Sequence, residues 1–353
     1  MAKATDELYR NEAYKLGSKE KELEEFQRHV QRVLAAQQRL AAQHFSGQRH
    51  RVFHAKSHGC LTGKLNLLES RPQSTQHGIF GSNGKTSYDV LARFSNGVGS
   101  DGHDLKPDVR GIGLKIFGVT DRSTDADGQR PRTIDFLMTN STNAFGRDQE
   151  EFVEFMEASV NPGPFKIKLL RYLFTHRKVA CLLFKATSRI VSSLTTQRYW
   201  SGHAYLLGQD RAMKVNVRPG GDPENKKGTM GCSKVNRNYL SIDLLNRARR
   251  GPIKFIFSVQ LEKNETSTPI EDGRVEWKES DSPSIPVAEL VLDQQDKWHD
   301  CENLSFTPGH HITAHRPLGN IGRGRVFTYE ASQKGRDAAL ADPDESMVFG
   351  KQL

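Results

Sequence analysis

The N-terminal part of the chain carries a helical pattern of hydrophobic positions. Over residues 18–45, apolar side chains recur at steps of three, four and seven among charged neighbours, at Leu23, Phe26, Val30, Val33 and Leu40. This spacing predicts an amphipathic helix. Its apolar stripe suits packing either on the same domain or on another subunit, so a homo-oligomer is one of the two possibilities. We therefore separate a helical N-terminal extension, residues 1–48, from a main domain over residues 49–345.

From residue 50 onward the pattern changes to short β-branched and aromatic runs between loops rich in Gly, Ser, Asn and Asp. Eight runs predict strands, at 51–67, 87–95, 110–118, 133–138, 202–207, 212–217, 252–261 and 286–292. Helical spacing returns at 148–195, 236–250 and 318–340. An even number of short strands joined by hairpin-type loops suits a closed antiparallel barrel. The predicted fold is therefore α+β, an eight-stranded antiparallel barrel with flanking helices.

The charge balance is basic, with 51 Lys and Arg against 42 Asp and Glu, a net charge of +9. Such an excess permits binding of nucleic acid or of another anion. No block of five or more Lys and Arg residues occurs, and no RNA-binding or zinc-finger motif is visible. We therefore expect no nucleic-acid partner and keep a bound anion as one use of the excess.

The four cysteines, Cys60, Cys181, Cys232 and Cys301, are far apart and form no CxxC pair. Zinc sites use short paired spacings, and disulfide frameworks belong to small cysteine-rich chains, so we expect neither. The first residues lack the apolar segment of a secretory signal, and no apolar run reaches the eighteen or so residues of a membrane span. These features predict a soluble cytoplasmic protein with no transmembrane segment.

One candidate for chemistry is His54, in the segment Arg51-Val-Phe-His-Ala-Lys at the start of the first predicted strand. Alternate residues of a strand share a face, so Phe53 and Ala55 should point away from His54. The alternative is that His54 is an ordinary structural histidine, hydrogen-bonded in the barrel wall, since the local sequence does not distinguish the two.

A second candidate is the pair Arg325 and Tyr329 in the C-terminal predicted helix. Residues four apart lie on one face of a helix with their side chains in contact, and Arg336 lies two turns further on. A guanidinium beside a phenol favours the phenolate, a hard anionic ligand for ferric iron. The alternative is that Arg325 and Tyr329 are a surface pair on a helix, which has the same spacing.

Five segments taken together resemble the haem catalases and the shorter catalase-related haem peroxidases, which are related to the catalase-like allene oxide synthases. The segments are Arg-x-x-His-Ala-Lys, Ala-Arg-Phe-Ser, Asp-x-Arg-Gly, the asparagine segment ending in Arg-Asp, and Arg-x-Phe-x-Tyr. They occur in the family's order, and the resemblance spans about residues 50–336. It implies an eight-stranded barrel with haem b buried between the barrel and a C-terminal helix.

The resemblance implies a role for each matching residue on the peroxide side of the haem. His54 matches the distal histidine, which takes a proton from bound peroxide and returns it to the departing oxygen. Ser95 matches the serine that supports this histidine. Asn140 is the candidate for the distal amide, with Thr139 as the alternative for that position. Asp108 matches a carboxylate that lines the peroxide channel of the larger catalases.

The remaining matches concern binding of the cofactor. Tyr329 matches the proximal iron ligand, and Arg325 matches the arginine paired with it. Phe145 matches an aromatic residue that lies against the porphyrin. The arginines that bind the haem propionates correspond to Arg51, Arg93 and Arg336, which gives part of the basic excess a use.

Three departures from the larger catalases shape the expected activity. The chain is shorter, Phe53 precedes the distal histidine where those enzymes have valine, and Gly97 replaces a valine that narrows their channel. We expect a haem peroxidase that acts on hydrogen peroxide or organic hydroperoxides, with an organic electron donor as a further partner and weak dismutation. The alternatives are a fatty-acid hydroperoxide isomerase or lyase, where the related branch has threonine at position 53, and a non-enzymatic haem carrier or sensor.

Overall fold

The structure, a computed structural model, describes residues 8–44, 51, 53–81, 85–97, 102–119, 133–160, 167–188, 190–221, 236–302 and 304–335. Six α-helices lie in these ranges: α1 Lys19–His44, α2 Gln149–Ser159, α3 Ile167–Thr175, α4 Arg177–Thr187, α5 Tyr239–Arg250 and α6 Gly319–Lys334. Nine strands accompany them: β1 Ser57–Leu67, β2 Ser87–Asn96, β3 Arg110–Phe117, β4 Thr133–Thr139, β5 Tyr199–Ser201, β6 Tyr205–Leu207, β7 Arg211–Pro219, β8 Ile253–Leu261 and β9 Ile285–Leu292.

Eight of these strands close into an antiparallel barrel, which confirms the predicted architecture. Strands β1 to β4 pair in chain order, β1 also pairs with β9, and β9 continues through β8 to β7. The short strand β5 closes the ring because it pairs with both β4 and β7. The ninth strand, β6, pairs only with β7 and extends that edge.

The barrel holds the main hydrophobic core. Alternate residues of each strand point to its interior, where aromatic and branched side chains pack, including Leu65, Phe94, Phe136, Tyr199, Phe255 and Phe257. The rings of Phe136 and Phe257 lie 5.6 Å apart, and those of Phe94 and Phe255 lie 6.4 Å apart. Because this interior is filled, a large ligand has to bind outside the barrel wall.

Helices α1, α2 and α6 pack together as a layer beside the barrel. Phe26 of α1 and Phe327 of α6 bring their rings to 5.4 Å. The Arg323 guanidinium on α6 pairs with Glu22 of α1 at 2.9 Å and also contacts Glu12. The boundary expected between residues 48 and 49 lies outside the described residues, so that division stays a prediction.

The structure corrects the sequence analysis at four places. The first strand begins at Ser57, so Arg51 and residues 53–56 lie outside it. The run predicted at 202–207 forms a strand only at Tyr205–Leu207, which is β6, whereas β5, which closes the barrel, lies before that run at Tyr199–Ser201 and was not predicted. The helical region at 148–195 divides into α2, α3 and α4. Cys60 and Cys301 form a disulfide bond, although we expected no disulfide framework. Within the described ranges, no helix is long and apolar enough to span a membrane.

Candidate functional site

A cavity of about 690 Å³ lies between the outer wall of the barrel and the helices that cover it. Strands β2, β3 and β4 supply its floor, while α1, α2, α3, α4 and α6 each contribute side chains to its walls. Most of the residues singled out from the sequence line this one space: Arg51, His54, Arg93, Ser95, Asp108, Phe145, Arg325 and Tyr329. The fold therefore brings together segments that are up to 278 positions apart in the chain, from residue 51 to residue 329.

Three hydrogen bonds hold His54, one at its imidazole and two at its backbone. Its Nδ1 lies 2.9 Å from the Ser95 hydroxyl, and its backbone N–H donates to the Gly97 carbonyl at 3.0 Å. Its own carbonyl accepts a hydrogen bond from the Arg93 guanidinium at 3.1 Å. The backbone of His54 adopts a left-handed conformation with φ 58° rather than a strand. The strand alternation that we expected to place Phe53 and Ala55 is therefore wrong, since His54 is aimed by a turn.

Gly111 on β3 leaves room for the His54 ring. A Cβ atom at this position would lie 2.6 Å from His54 Nδ1 and 3.2 Å from the Ser95 hydroxyl. Real Cβ atoms do not approach other atoms so closely, so the imidazole occupies space that only glycine provides. Gly111 is the glycine of the Asp-x-Arg-Gly segment, and this contact shows what the segment provides at the site.

The surroundings of His54 keep its ring neutral. Burial disfavours the imidazolium, and the positive charges of Arg93, Arg325 and Arg51 add to this effect, so that the pKa of His54 falls from 6.5 to about 3. A neutral imidazole whose Nδ1 is held by a hydroxyl has its second nitrogen, Nε2, left to exchange a proton.

The Arg325 guanidinium on α6 connects two side chains of the cavity wall. One nitrogen donates to the Tyr329 hydroxyl at 2.8 Å, as the spacing of four residues predicted. The other lies 2.8 Å from His203 Nδ1, in the turn between β5 and β6. Burial and the Arg325 charge lower the pKa of His203 well below 6.5, so this histidine is neutral and accepts the hydrogen bond. His203 belongs to no motif of the sequence analysis, and no sequence signal identified it.

Two arginines at the mouth of the cavity share one carboxylate. Glu302 lies 2.8 Å from the Arg51 guanidinium and 3.3 Å from that of Arg93. Burial, with the nearby Arg51 charge, lowers the pKa of Arg93 to about 10. Two cations with a single anion leave an excess positive charge, so this mouth is suited to binding a further carboxylate. Glu302 was also missed by the sequence analysis.

The distal amide expected at Asn140 is placed elsewhere by the structure. The Asn140 side chain does not line the cavity, and its amide oxygen accepts the backbone N–H of Arg110 at 2.8 Å. Thr139, the alternative for this position, does line the cavity, as does Asn143. The Asn143 amide group donates to the Arg274 carbonyl at 2.7 Å.

Phe145 is buried in the cavity wall, with its ring 5.6 Å from that of Phe155 on α2. The Arg-Asp pair that follows it in the sequence leads into α2, with Asp148 as the N-cap: its carboxylate accepts the Glu151 N–H at 3.0 Å. Arg336, expected to bind a propionate, lies outside the described residues.

Comparisons with known proteins agree with this arrangement. The family described as Catalase matches residues 19–340. The chain belongs to the catalase family. A curated relative, the catalase-related peroxidase of Mycolicibacterium paratuberculosis (strain ATCC BAA-968 / K-10), is 26% identical over 256 residues, which cover 70% of this chain and 77% of the relative. The family and this relative identify the chain as a catalase-like oxidoreductase of the short, catalase-related branch.

Solved catalases share the fold. A fungal catalase superposes with a TM-score of 0.66 and 18% identity over 85% of this chain and 61% of its own. Catalase A from Saccharomyces cerevisiae gives 0.65 and 16% identity, over 83% of this chain and 62% of its own. The chain thus spans about three fifths of the length of these two catalases.

Membership of the catalase family implies a bound haem, and the residues present fit one. The cavity offers a phenol already paired with a guanidinium, and an aromatic wall at Phe145. Buried nitrogens stand without hydrogen-bond partners among the described residues: Nε of Arg93, Nε of Arg325 and Nε2 of His203. An anion such as a haem carboxylate would satisfy the arginine at the mouth, since buried polar groups in proteins are nearly always paired.

Proposed function

We propose that this chain is a peroxidase that holds haem b through Tyr329 and cleaves the O–O bond of hydrogen peroxide or organic hydroperoxides. The observation that carries the proposal is that two preorganised pairs open into one cavity. These pairs are His54 with Ser95 and Tyr329 with Arg325. Peroxide cleavage needs a base to transfer the proton and a ligand to hold the haem iron, and both groups have to be in position before the substrate binds.

Each pair has its own task. His54 is neutral, so its free nitrogen accepts the proton of a hydroperoxide and can return it to the oxygen that leaves. Ser95 holds Nδ1 and thereby sets the direction of the ring. Arg325 donates to the Tyr329 hydroxyl at 2.8 Å and thereby orients this side chain as the proposed ligand of ferric iron. The haem supplies the redox chemistry, and a tyrosinate ligand increases the electron density on its iron.

The cavity supports organic hydroperoxides as substrates. Gly97 and Asp108 line it, and a Cβ at Gly97 would lie 3.0 Å from the Asp108 carboxylate, so a larger residue there would narrow the space. Further along, the walls are apolar and include Phe155, Val160 and Leu183. A hydrogen peroxide molecule needs none of this apolar surface, whereas an alkyl or acyl chain would be bound by it.

The proximal side of the proposal is tested by visible spectroscopy on protein expressed with added haem. The wild type should show a ferric high-spin haem spectrum, and Tyr329→Phe should change or lose it. Phe327→Leu on the same helix serves as a matched control, since this ring packs on Phe26 of α1. A wild type that takes up no haem, or a Tyr329→Phe spectrum identical to that of the wild type, would reject the proposal.

The apolar walls also favour a second candidate, an isomerase or lyase that acts on fatty-acid hydroperoxides. Both candidates bind the same substrate, but only a peroxidase consumes an electron donor. Product analysis with a polyunsaturated hydroperoxide, without added donor, separates them: an epoxide or aldehyde formed in stoichiometric turnover indicates the isomerase or lyase. A haem carrier would need neither His54 nor Ser95, so unchanged turnover in His54→Gln would favour the carrier.

A further inference from the structure

The hairpin of helices α3 and α4 exposes an unusual amount of hydrophobic surface. Seven large hydrophobic side chains are exposed among the described residues, and five of them lie between positions 167 and 190: Ile167, Leu170, Phe174, Phe184 and Ile190. Phe174 is 84% exposed and Phe184 is 74% exposed. Clustering of this kind on one element marks an interaction surface rather than scattered surface residues.

The opposite face of the hairpin packs on the rest of the protein, so the exposed side chains are not the ones that attach the hairpin to the core. Tyr172 and Val179 are buried, and they pack with Phe155 of α2 and with the partly buried Leu169 and Leu183. The Tyr172 hydroxyl also donates to the Glu151 carbonyl at 3.0 Å. Both helices thus already have an apolar inner face, and the exposed residues form a second, outer one.

The outer face is bordered by positive charge. Between Glu157 and Asp210 the sequence has eight Lys and Arg residues and no Asp or Glu. Within the described part of the chain, Lys168, Arg171 and Arg177 are exposed and take part in no ion pair, while the exposed Lys178 interacts electrostatically with Asp272. Lys185 pairs with Glu276 at 3.3 Å. Exposed apolar residues bordered by unpaired cations are typical of helices that lie in the interface of anionic membranes.

We propose that the α3–α4 hairpin docks on the surface of an anionic phospholipid membrane, with Leu170, Phe174 and Phe184 entering the acyl boundary. The cations at the border would then lie at the level of the phosphate groups. A second copy of this chain fits less well, because pairing two such faces about a twofold axis would bring their unpaired cations together. The docking does not depend on haem or on peroxidase activity.

The same hairpin forms part of the cavity wall. Leu169 of α3 and Leu183 and Thr187 of α4 line the cavity with their inner faces, while the neighbouring outer residues are exposed. A docked hairpin would therefore lie between the bilayer and this part of the cavity. If the proposed function holds, this arrangement favours lipid hydroperoxides as its substrate class.

Vesicle flotation with the full chain tests the docking directly. Vesicles of phosphatidylcholine with one quarter phosphatidylglycerol should bind the wild type, whereas pure phosphatidylcholine should bind it much less. Phe174→Gln/Phe184→Gln should lower the partition coefficient at least about tenfold, since this variant lacks the two rings that would be buried in the bilayer. Lys168→Gln/Arg171→Gln should lower it by about fivefold for each cation removed. Ile242→Gln on α5, at a residue 44% exposed, is the matched apolar control and should change nothing.

A fluorophore on Cys181 gives an independent signal. This exposed cysteine lies one turn from Phe184, and a Cys232→Ser background limits labelling to it because Cys60 and Cys301 are paired. Anionic vesicles should shift the emission to shorter wavelength, and 0.5 M salt should weaken the shift.

Circular dichroism first establishes that each variant is folded. A folded wild type that ignores anionic vesicles overturns the proposal. So does binding that survives in Phe174→Gln/Phe184→Gln. A dimer in sedimentation velocity that this variant dissociates would instead assign the face to a second copy.

Discussion

The pH dependence of activity provides a sharp test of the environment of His54. A histidine with its ordinary pKa of 6.5 would be protonated, and inactive as a base, throughout the mildly acidic range. In this cavity, burial and three neighbouring guanidiniums lower the pKa of His54 to about 3. The rate of peroxide cleavage should therefore have no acid limb near pH 6.5.

The size of the effect follows from the two pKa values. At pH 5 an unshifted histidine would retain about one part in thirty of its neutral form, whereas His54 should be about 99% neutral. The expected change in kcat/KM between pH 8 and pH 5 is therefore less than about twofold, against about thirtyfold without the shift. Haem carboxylates would offset part of the arginine charge, but burial is the larger cause and would persist.

The assay is kcat/KM of the haem-loaded protein with an organic hydroperoxide between pH 4.5 and 8, with circular dichroism to verify folding at each pH. Ser95→Ala removes the 2.9 Å hydrogen bond and should reduce the rate by about two- to tenfold, the value of 0.5–1.5 kcal/mol. His54→Gln should reduce it by about 10²–10⁴. A wild-type acid limb at pH 6–7 that is absent in His54→Gln would refute the reasoning.

The shift also affects stability, and its sign is fixed by linkage. The unfolded chain protonates this histidine below pH 6.5, whereas the folded chain does so only near pH 3. The unfolded state therefore binds more protons between these values. The contribution of His54 is fully present above pH 6.5 and is lost as the pH falls toward 3.

Three substitutions test other contacts of the cavity. Gly111→Ala places a Cβ 2.6 Å from His54 Nδ1, so the rate of peroxide cleavage should fall at least about tenfold while haem still binds. An unchanged rate would show that the His54 ring has room to move. Arg325→Leu removes the hydrogen-bond donor of the buried His203. The free energy of unfolding, measured by urea denaturation, should therefore fall by about 1–3 kcal/mol, and a change near zero would contradict the structure. Glu302→Gln removes the carboxylate that competes for the two arginines at the mouth, and haem titration should show affinity raised by up to about fivefold, because this exposed ion pair is weak. Weaker haem binding would mean that Glu302 supports the cofactor.

Contacts set by local geometry were predictable from the sequence. An even number of β-branched and aromatic runs predicted the eight-stranded barrel. A spacing of four residues placed Arg325 against Tyr329, because helix geometry alone decides that contact. Alternation failed at His54, whose left-handed φ of 58° is held by hydrogen bonds from residues outside its own segment. No local pattern specifies such a turn.

Contacts between distant segments could not be predicted in this way. His203 reaches Arg325 across 122 positions, and Glu302 reaches Arg51 across 251. Neither residue lies in a motif, and each acquires its role only when the barrel closes. Asn140 shows the converse, since a suitable residue type in the expected segment is used to pair with the backbone of β3.

In the proposed function, the arginines around the cavity connect binding of the cofactor with the basicity of His54. Arg93 donates to the His54 carbonyl and shares Glu302 with Arg51, and after burial its charge is the largest single cause of the lowered pKa of His54. A carboxylate that binds these arginines reduces their positive field at the imidazole, so the proton affinity of His54 must rise when an anionic cofactor is bound. By the same coupling, protonation of His54 favours retention of that anion. In the proposed peroxidase, part of the basic excess of the chain would thus have two roles at this site, to hold an anion and to set the basicity of the histidine beside it.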